Sequence, residues 1–167
     1  MNKPIRIIID FDDTLVESNT ARDVLREYVS KEYDEIDHLY KSKKVNFKNY
    51  QELSFKAALK ISTIEEIKNT AKNKSKIRKG FSELVEFSVN KDIEIVVLSS
   101  GLNQYIKPVL EDHLKNIKVV AADMFFDKDK YVSFDYSKSY DYDCSKDWGI
   151  CKCKTVNSFS GTNHLIY

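Results

Sequence analysis

The first apolar segment of the chain, Ile5 to Ile9, is a short run of β-branched residues interrupted only by Arg6. Such a run suits a buried parallel strand better than a helix, and it places Asp10 at the strand's carboxyl end. From Ala21 to Tyr40 the pattern changes: Val24, Leu25, Tyr28, Val29, Ile36, Leu39 and Tyr40 recur at helical spacing with charged residues between them. Leu53, Ala57, Ala58 and Ile61 predict a second helical stripe, and Thr63 with Glu66 has the spacing of a capping box opening a third helix. Phe81, Leu84, Val85 and Phe87 predict a further helix. Ile93 and Ile95 to Leu98 then form a second buried strand that ends in Ser99-Ser100-Gly101. Asn103 is placed to cap a helix carrying Tyr105, Ile106, Val109, Leu110 and Leu114, with Pro108 tolerated only near its first turn. Val119 to Ala122 reads as a third strand. Beyond Phe126 the chain becomes polar, and the alternation of Tyr131, Val132 and Phe134 predicts a hairpin or extended loop. Lys152 to Phe159 predicts one more helix, and His164 to Tyr167 the start of another strand.

Strands alternating with helices predict an α/β fold: a parallel sheet with helices on both faces. Residues 16–78 form a helical insertion, which divides the chain into a core of residues 1–15 and 79–167 and a small helical cap. Ligands of parallel sheets bind beyond the carboxyl ends of the strands. Asp10 to Thr14 and Ser99 to Gly101 both fall at that edge despite their distance in sequence.

The chain's 167 residues suffice for one domain with a small subdomain. Its 27 basic residues nearly balance 26 acidic ones, so no footprint for nucleic acid or an anionic membrane is expected, and the expected partner is a small molecule. Without an apolar run of membrane-spanning length or a secretion signal, a cytoplasmic location is expected. Cys144, Cys151 and Cys153 make an odd set, read as reduced thiols. A zinc site from these and His164 is disfavoured, because one residue between Cys151 and Cys153 is not a knuckle spacing.

The chemistry concentrates in Asp10-Phe11-Asp12-Asp13-Thr14-Leu15. Two carboxylates one residue apart at a strand end can divide phosphoryl transfer between an anionic nucleophile and a proton donor. This segment resembles the first motif of the haloacid dehalogenase superfamily, Asp-x-Asp-x-Thr followed by an apolar residue. The resemblance implies a Rossmann-like core with a helical cap. It assigns Asp10 as the nucleophile that forms an aspartyl-phosphate and Asp12 as the acid that protonates the leaving group and then activates water. It also implies Mg2+, held by the Asp10 carboxylate and the Asp12 carbonyl, while Asp13 is read as a turn residue. Thr14 completes the motif on the substrate side.

Ser99-Ser100-Gly101 resembles the second motif, whose hydroxyl and amides hold a phosphoryl oxygen, with Ser99 supplying the hydroxyl. Gly80 to Phe87 followed by Val96 to Gly101 resembles the approach to this motif in phosphoserine-phosphatase-like members. Cys151-Lys152-Cys153-Lys154 lies where the family has its charge-neutralising lysine; Lys152 fits best and Lys154 is the substitute. The Cys-Lys step resembles the phosphocholine and phosphoethanolamine phosphatases and the methionine-salvage enol phosphatase, and Thr14 to Asn19 with the size of the insertion resembles the phosphocholine phosphatase branch. There Glu17 or Asn19 could meet the non-phosphate end of a substrate, although Asn19 is also an N-cap residue.

The family's fourth motif, Gly-Asp followed by a further Asp, is absent from the sequence. Three readings follow: a truncated chain, recruitment of Asp123 or Asp147 as the missing acid, or loss of catalysis. The leading expectation is a magnesium-dependent phosphomonoesterase acting on a small phosphorylated metabolite. A catalytically impaired phosphate-binding or regulatory protein and a phosphoryl transferase are the alternatives. The sequence leaves the substrate and the oligomeric state unassigned.

Overall fold

β1 (Ile5–Ile9) forms where the β-branched run predicts it, with Ile7, Ile8 and Ile9 buried. The computed structural model describes residues 5–127, 130–135, 150–159 and 163–166. β1 lies between β2 (Glu94–Leu102) and β5 (Asn163–Ile166), and β2 continues to β3 (Ile117–Asp127), all in parallel. β4 (Lys130–Asp135) returns antiparallel along β3, so the expected hairpin closes one edge and the strand order is β4-β3-β2-β1-β5. The α/β architecture is thus a parallel sheet with packed helices and a helical insertion.

β2 does not end at Ser99. Its ladder with β3 shifts register after Leu98 and resumes at Leu102 opposite Ala122, so the Ser-Ser-Gly segment is carried within the strand's irregular last turn. Ile9 pairs with Val97, which brings Asp10 and Ser99 out of neighbouring strands at the same edge.

The insertion holds α1 (Thr20–Lys41), α2 (Phe47–Ala58) and α3 (Ile64–Lys74). The chain enters and leaves it side by side: Val16 bridges Ile77, the Glu17 amide donates to the Lys76 carbonyl at 2.9 Å, and the Arg78 amide donates to the Leu15 carbonyl at 3.0 Å. Asn19 caps α1 by accepting from the Arg22 amide, and Thr63 with Glu66 forms the reciprocal capping box at α3.

On α2 the expected stripe is only partly right, since Ala58 is buried and Ala57 packs against the core. The helix begins at Phe47 and buries Gln51, Ser54, Phe55 and Ala58, whereas Leu53 is 41% exposed and Ile61, beyond the helix, is 66% exposed. Two polar residues, Gln51 and Ser54, occupy half of the buried face, and apolar periodicity passes over them.

α4 (Phe81–Asn90) packs on β2 through Phe81 and Val85, while Phe87 is exposed. α5 (Asn103–Val109) also corrects two expectations. Its N-cap is Leu102 and not Asn103, whose side-chain amide instead donates to the Ala121 carbonyl and to Asp123. Pro108 lies in the helix's last turn, which agrees with the helix ending one residue later. α6 (Lys152–Ser158) is tied to the sheet by Arg6: its guanidinium pairs with Glu94 and lies 4.1 Å from the ring centre of Phe159. The charged residue that interrupts the apolar run of β1 therefore anchors the helix that starts at Lys152.

Candidate active site

Asp10 leaves β1 and the chain turns back over Phe11–Leu15, with Asp12 in extended backbone at φ −67° and ψ 137°. Buried Phe11 and Leu15 anchor the turn; the Leu15 amide donates to the Asp10 carbonyl at 3.2 Å and the Val16 amide to the Phe11 carbonyl at 3.1 Å. Asp13 takes φ +58°, a left-handed conformation that aspartate tolerates better than most side chains, and this is the turn role expected of it. The Asp10 carboxylate accepts from the Phe11 amide at 2.8 Å through Oδ1, and its Oδ2 lies 2.7 Å from Lys152 Nζ.

Asp12 is held at both oxygens. The Thr20 amide donates to Oδ1 at 2.7 Å and the Tyr105 hydroxyl donates to Oδ2 at 3.4 Å. Burial pushes its carboxyl up to about 6; the Thr20 amide opposes this, and the charges of Asp10 and Asp13 add to it. An acid whose proton is held to that range can deliver it near neutral pH.

These groups face a cavity of about 580 Å³. Asp10, Asp12, Asp13, Ser99, Ser100, Gly101 and Lys152 line its core side, with Ile150, Cys151 and Cys153; Asn19, Ala21, Leu25, Tyr40, Phe47, Tyr50, Gln51 and Phe55 line its insertion side. Ser99 is buried and its Oγ accepts from the Gly101 amide at 3.0 Å, which holds the segment in a tight turn facing Asp10. Of the two candidate lysines, Lys152 reaches Asp10 and Lys154 lies outside the cavity.

Other sequence candidates stand elsewhere. Thr14 and Glu17 are not among the lining residues: the Thr14 carbonyl accepts from Arg78 Nε at 2.7 Å, and Glu17 pairs with Lys76 at 2.9 Å. Asp123 accepts from Asn103 at 3.0 Å on the far side of β2 and does not meet Asp10. Asp147 and Cys144 lie outside the described residues.

Among the described residues no group of three or more His, Cys, Asp or Glu side chains converges to hold a metal ion. The site nevertheless has the donor chemistry for magnesium. Three aspartates and one lysine are among the described lining residues, and the charges of Asp10 and Asp13 add to the burial that raises Asp12. One carboxylate and a backbone carbonyl are hard oxygen donors of the kind Mg2+ uses when waters and a phosphate complete its shell.

Comparison with known proteins agrees with this geometry. The model of the haloacid dehalogenase-like hydrolase family matches residues 7–146. The chain belongs to that family. Among curated relatives, the 2-hydroxy-3-keto-5-methylthiopentenyl-1-phosphate phosphatase of Lysinibacillus sphaericus is 27% identical over 169 residues, covering 98% of this chain and 72% of the relative. The Bacillus cereus protein of that name is 21% identical over 164 residues, covering 97% and 74%. Both relatives are named as phosphatases.

Among solved structures, phosphoserine phosphatase from T. onnurineus superposes with a TM-score of 0.64 at 18% identity, over 99% of this chain and 74% of that one. A phospho-aspartyl intermediate analogue of phosphoserine phosphatase gives 0.58 at 23% identity over 78% of this chain, which spans 61% of that protein's length. These likenesses establish the fold of a haloacid dehalogenase-like core.

Two residues at this site escape a sequence reading. Tyr105 fits an apolar helical position, and nothing in the pattern shows that its hydroxyl reaches Asp12. Gln51 sits among polar residues of α2, yet its Nε2 donates to the Ser100 carbonyl at 3.0 Å. The usable signal was the stripe Gln51, Ser54, Phe55 and Ala58, which has the i, i+3, i+4, i+7 spacing of a buried face.

Proposed function

We propose that this chain is a magnesium-dependent phosphomonoesterase that hydrolyses a small phosphorylated metabolite, in the cytoplasm, through an aspartyl-phosphate on Asp10. The observation that carries the reading is the 2.7 Å contact between Asp10 Oδ2 and Lys152 Nζ on the cavity wall, beside Asp12 and Ser99. The lysine holds the carboxylate on the cavity wall, where an in-line nucleophile must stand. Ser99 and the Ser-Ser-Gly amides would hold a phosphoryl oxygen, and Asp12 would protonate the departing oxygen and later activate water. Asp10 and the Asp12 carbonyl would hold Mg2+, which when bound supplies charge neutralisation for the phosphoryl group.

The insertion is read as a cap over the substrate. Its described lining residues carry no charged side chain, and Leu25, Tyr40, Phe47, Tyr50 and Phe55 make that wall apolar and aromatic. This supports a substrate whose non-phosphate end is uncharged, in keeping with the methylthiopentenyl phosphate named for the relatives, and weighs against phosphoserine.

The test is phosphate release from an aryl phosphate and a metabolite panel with Mg2+, comparing the chain with Asp10→Asn. Turnover abolished in the variant is expected; equal turnover in both would overturn Asp10 as nucleophile. One observation favours a second reading, a phosphate-binding protein without turnover: no group of three or more metal-ligating side chains is found among the described residues. That reading is selected by saturable phosphate binding with no product.

A further inference from the structure

Tyr105 is 1% exposed, its ring stacked parallel to Phe55 at 6.0 Å and tilted against Phe11 at 6.3 Å. Packing alone would be satisfied by phenylalanine, and a buried hydroxyl is costly unless it is bonded. Space for this hydroxyl exists because residue 101 is glycine: a Cβ there would stand 1.8 Å from Tyr105 Oη and 2.7 Å from its Cζ. The phenol donates its own proton to Asp12 Oδ2 at 3.4 Å.

We propose that Tyr105 is a positioning residue for Asp12, holding Oδ2 as the oxygen that hands its proton to the leaving group. The inference rests on the phosphatase reading above. Asp12 Oδ1 already faces the Thr20 amide at 2.7 Å, so a proton on this carboxyl resides on Oδ2. That oxygen keeps a lone pair for Tyr105 while its O–H points to the substrate. As Asp10 bonds to phosphorus and the bond from phosphorus to the leaving oxygen breaks, the Oδ2 proton moves to that oxygen. Asp12 ends as a carboxylate, and Tyr105 retains its own proton throughout.

The test is Tyr105→Phe, which keeps the ring. kcat/KM is measured across phosphate monoesters from dinitrophenyl, whose leaving group needs no proton, to simple alkyl. A loss of about tenfold for alkyl esters is expected, with under about twofold change for the dinitrophenyl ester. An equal loss across the series marks a structural role and overturns the proposal, as does no loss at all. A second readout is independent of turnover: the buried Tyr105 hydroxyl proton should give a slowly exchanging low-field NMR resonance that moves upfield in Asp12→Ala. An unmoved resonance overturns the contact. A chain that hydrolyses none of the esters refutes the phosphatase reading, and the resonance still decides the Tyr105 contact.

Discussion

Gln51 of α2 donates its side-chain amide to the main-chain carbonyl of Ser100 at 3.0 Å, so the helical insertion is bonded to the backbone of the segment that faces Asp10. Gln51 is buried, and removing the donor leaves the carbonyl short of a partner. Gln51→Leu is expected to cost about 1–2 kcal/mol in urea denaturation and to raise KM for phosphate esters several-fold. Unchanged KM would show that the contact does not hold the Ser-Ser-Gly segment.

Lys152 and Lys154 stand two residues apart on α6, and only Lys152 faces the Asp10 carboxylate. Lys152→Met is expected to reduce kcat by about 100-fold or more, whereas Lys154→Met should stay within about threefold, as surface substitutions generally do. Steady-state kinetics on one aryl phosphate decides the matter, and the reverse ranking would reassign the lysine.

The placement of Lys152 depends in turn on Arg6 and Phe159, since their contact seats α6 against β1 and β2. Phe159→Ala should destabilise the chain by about 1 kcal/mol, lower activity, and leave Phe159→Tyr close to the parent. Equal activity of the alanine and tyrosine variants would mean that α6 is seated without this ring.

The stability of the metal-free chain should depend on pH through Asp12. Burial raises its carboxyl from 3.8 to about 6 in the folded state, so between those values the folded chain holds a proton that the unfolded chain has released. The contribution is fully present below 3.8 and is lost as pH rises through about 6, a penalty on the order of 3 kcal/mol at higher pH. Asp12→Asn removes it while keeping an oxygen for the Thr20 amide. The variant should match the parent near pH 4 and exceed it in urea denaturation at pH 8; parallel pH curves would contradict the raised carboxyl.

Features governed by neighbours in sequence were legible without coordinates. β1 follows from four isoleucines in five positions, the cap at Asn19 and the capping box at Thr63 from side chains that reach amides three residues on, and the turn at Asp13 from a residue type that tolerates positive φ. The Asp10 to Leu15 segment also carries its chemistry in its spelling, since nucleophile and acid lie on one turn.

What tertiary structure alone decided involves partners far apart in the chain. Asn103 has the composition of a cap, but β3 passes beside it and its amide bonds to Ala121 and Asp123. Leu53 belongs to an apolar pattern, yet the face of α2 that meets the core is the one whose Gln51 finds Ser100 and whose Phe55 finds Tyr105. Tyr105 reads as a core ring until Gly101 opens room for its hydroxyl and the turn after β1 brings Asp12 within its reach. Periodicity reports which residues share a face. It does not report what that face will meet, because burial of a polar group is favourable only where a distant partner satisfies it.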